Sequence, residues 1–192
     1  MADNLGKATR RPRADSVRNR ERLLQAAAAV FSAGGPEASL EAVAKRAGVG
    51  IGTLYRHFPT REALFEAVYR HEVDHLGDLA EQLAREAAPV EALRRWAHAH
   101  VQVVATKKGM LAALALAAHG PSELYAYSFE RMSKAAGLLL ERAIAAGEVR
   151  ADITPEDLLR ALVGMCYMHD QPGWLPRALH LVDIFIDGLR VR

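Results

Sequence analysis

The sequence predicts an all-α fold of about nine helices. Three observations lead there. Apolar residues recur at helical spacing from residue 16 onward, no segment carries the signal of a β-hairpin, and Gly and Pro punctuate the chain between the periodic stretches.

Residues 1–15, "MADNLGKATRRPRAD", hold almost no large apolar side chains and read as a disordered basic arm, with Lys7, Arg10, Arg11 and Arg13 around Pro12. A first helix starts at Ser16, a plausible cap, carries Leu23, Leu24, Ala27, Val30 and Phe31 on one side, and ends at Gly34-Gly35-Pro36. Ser39 caps a second, "LEAVAKRA", whose Leu40, Val43, Ala44 and Ala47 share a face and which Gly48 terminates. A third spans about Ile51 to His57 and stops at Phe58-Pro59. The fourth is long, Arg61 to about Glu86. A fifth runs from about Val90 to Thr106 and is broken by Lys107-Lys108-Gly109, followed by a short sixth over Met110–Ala118. The seventh covers Ser122–Ala146 and closes at Gly147. Thr154-Pro155-Glu156-Asp157 opens the eighth with a cap, a Pro at the first position and two acids, and a ninth runs from about Leu175 to Val191. The expected domains are the arm, an N-terminal three-helix domain over 16–60, and a C-terminal helical domain over 61–192.

With 192 residues, 51% of them apolar and no unbroken apolar run of membrane-spanning length, the chain is expected to be soluble and well packed. Its single cysteine, Cys166, forms no intrachain disulfide, which points to a reducing, cytoplasmic setting. The net charge is only +2, yet residues 1–61 hold 11 Lys or Arg against 5 Asp or Glu. A basic front half suits a polyanionic partner, although a solvated basic tail has the same composition.

The segment "GVGIGTLYRHF", Gly48 to Phe58, sharpens that reading. Two short helices joined by a Gly-containing turn form a helix-turn-helix candidate: Ala44 is small where the next helix crosses, Gly48 suits a positive φ, and Leu54 plugs the core. Thr53, Tyr55, Arg56 and His57 then offer donors, a flat ring and a charge to phosphates and base edges in a major groove. An ordinary helical hairpin with a Tyr at its rim shares the pattern.

"SLEAVAKRAGVGIGTLYRHFPTREALFEAV", Ser39 to Val68, resembles the DNA-binding segment of the tetracycline-repressor (TetR) family of transcriptional regulators. The resemblance is specific over about 45 residues and architectural beyond residue 80. It implies DNA contacts by Thr53, Tyr55, Arg56 and His57, with Arg61 in the place of the usual basic phosphate contact; Ser39, Ile51 and Gly52 complete the DNA-facing set. Gly50 stands where a Ser cap is frequent, and Ile51, where a polar residue is frequent, can meet a thymine methyl.

"HEVDH", His71 to His75, matches the zinc-peptidase pattern literally. A catalytic zinc needs a third ligand and a cleft, and the sequence supplies no ligand at the expected extension. No metal site, catalytic residue or cofactor is expected.

The last two helices are apolar over more than one face, which calls for a second copy of the chain. Leu159, Leu162, Val163, Val182, Phe185, Ile186 and Leu189 are the expected homodimer contacts. Trp96, His100, Met110, Leu114, Tyr125, Phe129, Met132, Cys166 and His169 are candidates for a pocket taking an apolar ligand with a few polar handles. The expected function is a ligand-responsive, homodimeric transcriptional regulator, most simply a repressor that binds a palindromic duplex operator and is released by a small-molecule effector. The alternatives are a zinc-dependent helical hydrolase built on "HEVDH", or a constitutive DNA-binding protein without an effector.

Overall fold

The computed structural model describes residues 10–33, 38–114, 122–167 and 173–191. Among them are eight helices: α1 (Arg10–Ala33), α2 (Leu40–Ala47), α3 (Ile51–His57), α4 (Arg61–Glu86), α5 (Pro89–Leu114), α6 (Ser122–Ala145), α7 (Pro155–Tyr167) and α8 (Trp174–Gly188). The only β pairing among the described residues is an isolated bridge between Val149 and Arg190.

Two expectations need correcting. First, α1 begins at Arg10 rather than at Ser16, so part of the expected arm is helical; Pro12 falls in the first turn, where a missing N–H costs no hydrogen bond. Residues 1–9 lie outside the described residues. Second, the expected fifth helix does not end at Lys107-Lys108-Gly109, because α5 continues to Leu114 and absorbs the start of the expected sixth. A lone helical Gly costs about 1 kcal/mol and does not by itself stop a helix. Residues 115–118 lie outside the described residues.

The chain divides into two compact units. One holds the described residues up to Val68 and the end of α5 from Gly109; the other runs from Tyr69 to Lys108 and resumes with α6. The division falls inside α4, because Leu64, Phe65 and Val68 are buried but lie outside the second unit's core, which starts at Val73.

In the first unit α2 is fixed at both ends. Ser39 Oγ accepts from the Ala42 N–H at 3.1 Å. At the other end Gly48 takes φ +65, the Gly48 N–H donates to the Lys45 carbonyl (3.1 Å) and the Val49 N–H to the Ala44 carbonyl (3.0 Å). That double bond is a Schellman closure, and it turns the chain into α3. Leu54 is the one buried residue of α3.

In the second unit α5 is buried along Leu93, Trp96, Ala97 and Val101. The Trp96 indole N–H donates to the Leu76 carbonyl at 3.0 Å, tying α5 to α4. Arg131 on α6 crosses Gly77 on α4 and pairs with Asp78 at 2.7 Å; a Cβ at residue 77 would sit 2.5 Å from the Arg131 Nε. Arg94 on α5 reaches Asp183 (2.9 Å) and Asp187 on α8, and His98 Nε2 lies 2.9 Å from the same Asp183 carboxylate. These bonds hold the Asp183 carboxyl below its ordinary pKa, with Arg94 the main cause. Lys108 Nζ donates to the Cys166 carbonyl at 3.0 Å, in the last turn of α7, and lies over the Tyr167 and Trp174 rings. A cation there suits the helix's negative end. Thr154 and Asp157 cap α7 reciprocally: the Asp157 N–H donates to Thr154 Oγ1 (3.1 Å) and the Thr154 N–H to Asp157 Oδ2 (3.2 Å).

Alanine at two glycines contrasts a constrained turn with an open helical position. Gly48→Ala places a side chain at positive φ with its Cβ 2.6 Å from an Arg22 terminal nitrogen, the end of a flexible side chain that can shift, and is expected to destabilise by about 1 kcal/mol. Gly52→Ala, whose Cβ would meet nothing within 4 Å, should stabilise by about 0.5 kcal/mol. Thermal unfolding of both variants checks the pair; equal shifts would mean the Gly48 turn is not the fixed point described.

Candidate nucleic-acid interface and ligand cavity

α3 is amphipathic in the simplest way. With Leu54 inward, Ile51, Gly52, Tyr55 and Arg56 are exposed, while Thr53 and His57 are half-buried. Arg56 folds back along its own helix: Nε donates to the Gly52 carbonyl and a terminal nitrogen to Thr53 Oγ1, each at 3.2 Å. Arg56 and Thr53 are therefore presented together. The His57 and Phe58 rings are tilted neighbours, 6.2 Å between centroids, and Arg20 on α1 lies over the Phe58 ring at 5.4 Å. Arg61, half-buried, opens α4, and Thr60 Oγ1 accepts from the Ala63 N–H at 3.1 Å. Ser39 differs from the rest of the expected set, since its hydroxyl is already committed to the α2 cap.

The sequence reading did not single out a polar depression lined by Arg22, Gln25, Arg46 and Gly48, where an Arg22 terminal nitrogen donates to the Gly48 carbonyl at 3.5 Å. Charge near a helix terminus has no periodic signature, so only the fold collects these arginines.

The second unit contains a cavity of about 150 Å³. Tyr69 and Val73 of α4, His100, Val103, Val104 and Lys107 of α5, Tyr125, Ser128, Phe129 and Met132 of α6, and Leu159, Val163 and Tyr167 of α7 line it. His100, Tyr125, Phe129 and Met132 are thus brought together as expected. Trp96 and Cys166 are not: both are wholly buried core side chains, Trp96 bonded to Leu76 and the Cys166 Sγ–H donating to the Leu162 carbonyl at 3.2 Å. Burial pushes the Cys166 thiol up to about 11, so it stays protonated. Met110 and Leu114 belong to α5, but nothing is described of their side chains, and His169 lies outside the described residues. The missed lining residues have a signal in hindsight. His100, Val103, Val104 and Lys107 repeat the i, i+3, i+4, i+7 spacing that Tyr125, Ser128, Phe129 and Met132 repeat on α6.

The expected dimer set is corrected too. Leu159, Leu162, Val182, Ile186 and Leu189 are buried within a single chain, and Leu159 and Val163 line the cavity. The wide apolar faces of α7 and α8 are mostly consumed by this unit's own core. Outward apolar side chains are Val163 and Tyr167 on α7 and Leu181 and Ile184 on α8, with Phe185 half-buried.

The profile of bacterial regulatory proteins of the tetR family matches residues 23–68, and that of the C-terminal domain of SbtR-like transcriptional regulators matches residues 88–191. The chain belongs to the TetR family. A TetR transcriptional regulator of Streptomyces coelicolor is similar in structure, with 44% identity, a TM-score of 0.78, and coverage of 89% of this chain and 98% of that one. Another, from Mycobacterium vanbaalenii, has 34% identity, a TM-score of 0.74, and coverage of 93% and 99%. An HTH-type transcriptional repressor of Mycobacterium tuberculosis is 37% identical over 84 residues, which is 43% of each chain, so the match spans under half of that relative's length. As a TetR-family member the protein is a DNA-binding transcriptional regulator and not an enzyme. His71 and His75 of "HEVDH" sit on α4, and no group of three metal-ligating side chains gathers among the described residues; family membership, not that absence, removes the hydrolase reading. No helix among the described residues is long and apolar enough to cross a membrane.

His100 is the unusual group in this TetR-family cavity. It is only 6% exposed, its ring lies 5.5 Å from Trp96, and Nδ1 has no hydrogen-bond partner among the described residues. Burial lowers its pKa from 6.5 to about 4. The folded protein therefore holds a neutral imidazole over a range where the unfolded chain takes up a proton. Stability from this group is complete above pH 6.5 and is lost as pH falls toward 4. Between pH 7 and pH 4.5 the loss should be about 2 to 3 kcal/mol. Denaturant unfolding of the wild type and of His100→Phe at the two pH values checks this: the variant's pH slope should be shallower by that amount, and identical slopes would rule it out.

Proposed function

We propose that this TetR-family regulator is a homodimeric repressor whose two α3 helices read an inverted repeat, and whose second unit takes up a small molecule that releases the DNA. The outward face of α3 carries the reading: with only Leu54 turned in, Ile51, Tyr55 and Arg56 stand free for a major groove. Tyr55 and the paired Arg56 and Thr53 supply donors for phosphates and base edges, Ile51 an apolar contact for a thymine methyl, and His57 and Arg61 the flanking backbone contacts. Ser39 acts through the α2 cap, and Gly52 admits the backbone close to the duplex. The first unit is thus the DNA-binding domain, and the second the effector and dimerisation domain.

A second copy of the chain is the occupant proposed for the exposed strip of Val163, Tyr167, Leu181 and Ile184. A two-fold dimer that reads an inverted repeat in successive major grooves needs its α3 helices about 34 Å apart, one turn of duplex. Release follows when the effector binds better to an arrangement that does not match that spacing.

Duplexes selected from a random-sequence pool provide the test. Affinity should fall steeply with salt, and Tyr55→Ala should weaken it by about ten-fold while helix content and dimerisation persist. Undiminished affinity would remove α3 from the interface. Ile184→Asp should sediment as a monomer at concentrations where the wild type is a dimer, because unpaired carboxylates would face an apolar strip. A variant that remains dimeric would move the interface elsewhere.

A further inference from the structure

We propose that the effector is a neutral, single-ring aromatic molecule with one hydrogen-bonding substituent, of the phenol, benzyl alcohol or aryl aldehyde type, seated with that substituent on the His100 imidazole. The assignment rests on the reading of the second unit as an effector domain and names the chemistry that domain would take.

Size comes first. A space of about 150 Å³ accommodates a single benzene ring, and this one opens outward past Tyr125, Phe129, Val163 and Tyr167. The buried apolar part of the lining is Val73, Val104, Met132 and Leu159. The exposed part includes Tyr125 and Phe129, whose rings stack at 15° and 6.4 Å, so a planar guest passes or rests against flat aromatic faces.

Polarity comes next. Two buried polar side chains face this space. Ser128 already donates to the Tyr125 carbonyl at 2.9 Å, whereas the His100 imidazole lines the space with no hydrogen bond among the described residues, its Nδ1 fully covered. A buried imidazole without partners is costly, and a ligand that bonds the ring nitrogen facing the space removes part of that cost. One such atom in an apolar space selects one polar substituent.

Charge is disfavoured by the same surroundings. Burial keeps the imidazole neutral, so it cannot offset a carboxylate without first taking up a proton. The cation of the lining, Lys107, lies seven residues along α5 from His100, about 10 Å by helical rise, with its ammonium over the Tyr69 ring at 5.0 Å. A carboxylate guest would have to draw that ammonium off the Tyr69 ring.

Calorimetry on the full chain with phenol, toluene and benzoate tests the assignment. Phenol should bind about ten-fold more tightly than toluene, with benzoate weakest. His100→Leu should bring phenol to the level of toluene while leaving toluene unchanged, and His100→Gln, which keeps a hydrogen-bonding group, should retain part of the preference. Thermal unfolding reports whether the Leu variant is folded; if it is not, the wild-type comparison and the Gln variant decide. Toluene binding as well as phenol, benzoate binding best with proton uptake, or a phenol preference that survives His100→Leu would each overturn the proposal. Release of a selected duplex is measured separately. Release by other compounds with no binding of the ring probes would sink the ligand class and leave the repressor reading standing. Phenol bound through His100 without release would sink the effector role and keep the site.

Discussion

The burial of Trp96 is the constraint on which the second unit depends. Its indole is too large to fit a helix-packed core by adjustment of its neighbours alone, and its N–H must find an acceptor once water is excluded. The Leu76 carbonyl meets that need, and in doing so sets both the rotation and the height of α5 against α4. Everything else on α5 follows from that setting. Ala97 and Val101 turn to the core, and His100, Val103 and Lys107 turn to the cavity. The outer bonds from Arg94 to Asp183 and from Arg131 to Asp78 lie at the surface, where ion pairs contribute little each. They orient helices that the core already holds.

The first unit obeys a different constraint, because α3 has seven residues and too little surface to be stable alone. Its position is set from outside, by Leu54 within the core and by the Schellman closure at Gly48. A helix held at one buried point and one rigid turn leaves the rest of its circumference free for another molecule.

Much of this was legible in the sequence. The helix-turn-helix could be read because its constraints are local: a cap at Ser39, a positive-φ Gly48 and a plug at Leu54 are fixed by spacing within sixteen residues. The cavity was only half legible. Periodicity assigns residues to a side of a helix but not to the neighbour on that side, so Trp96 and His100, one turn apart, looked equivalent when one fills the core and the other lines the empty space. The same ambiguity misplaced Leu162, Val182 and Ile186, whose apolar faces meet each other within one chain. Lys107-Lys108-Gly109 failed as a break because both lysines find rings, Lys107 that of Tyr69 and Lys108 those of Tyr167 and Trp174, and Lys108 also bonds the Cys166 carbonyl.

The division of labour along α5 has an evolutionary consequence. Among the described residues, its buried side chains and its cavity-lining side chains share only His100 and Val104. Substitutions at positions 103 and 107, which are only half-buried, therefore change what the cavity accepts with less disturbance of the helix–helix core than substitutions at 100 or 104. Selection can retune chemical preference in such a scaffold through a few neutral-to-stability steps, so descendants of one ancestral gene can diverge in the compounds they answer to long before their architecture changes.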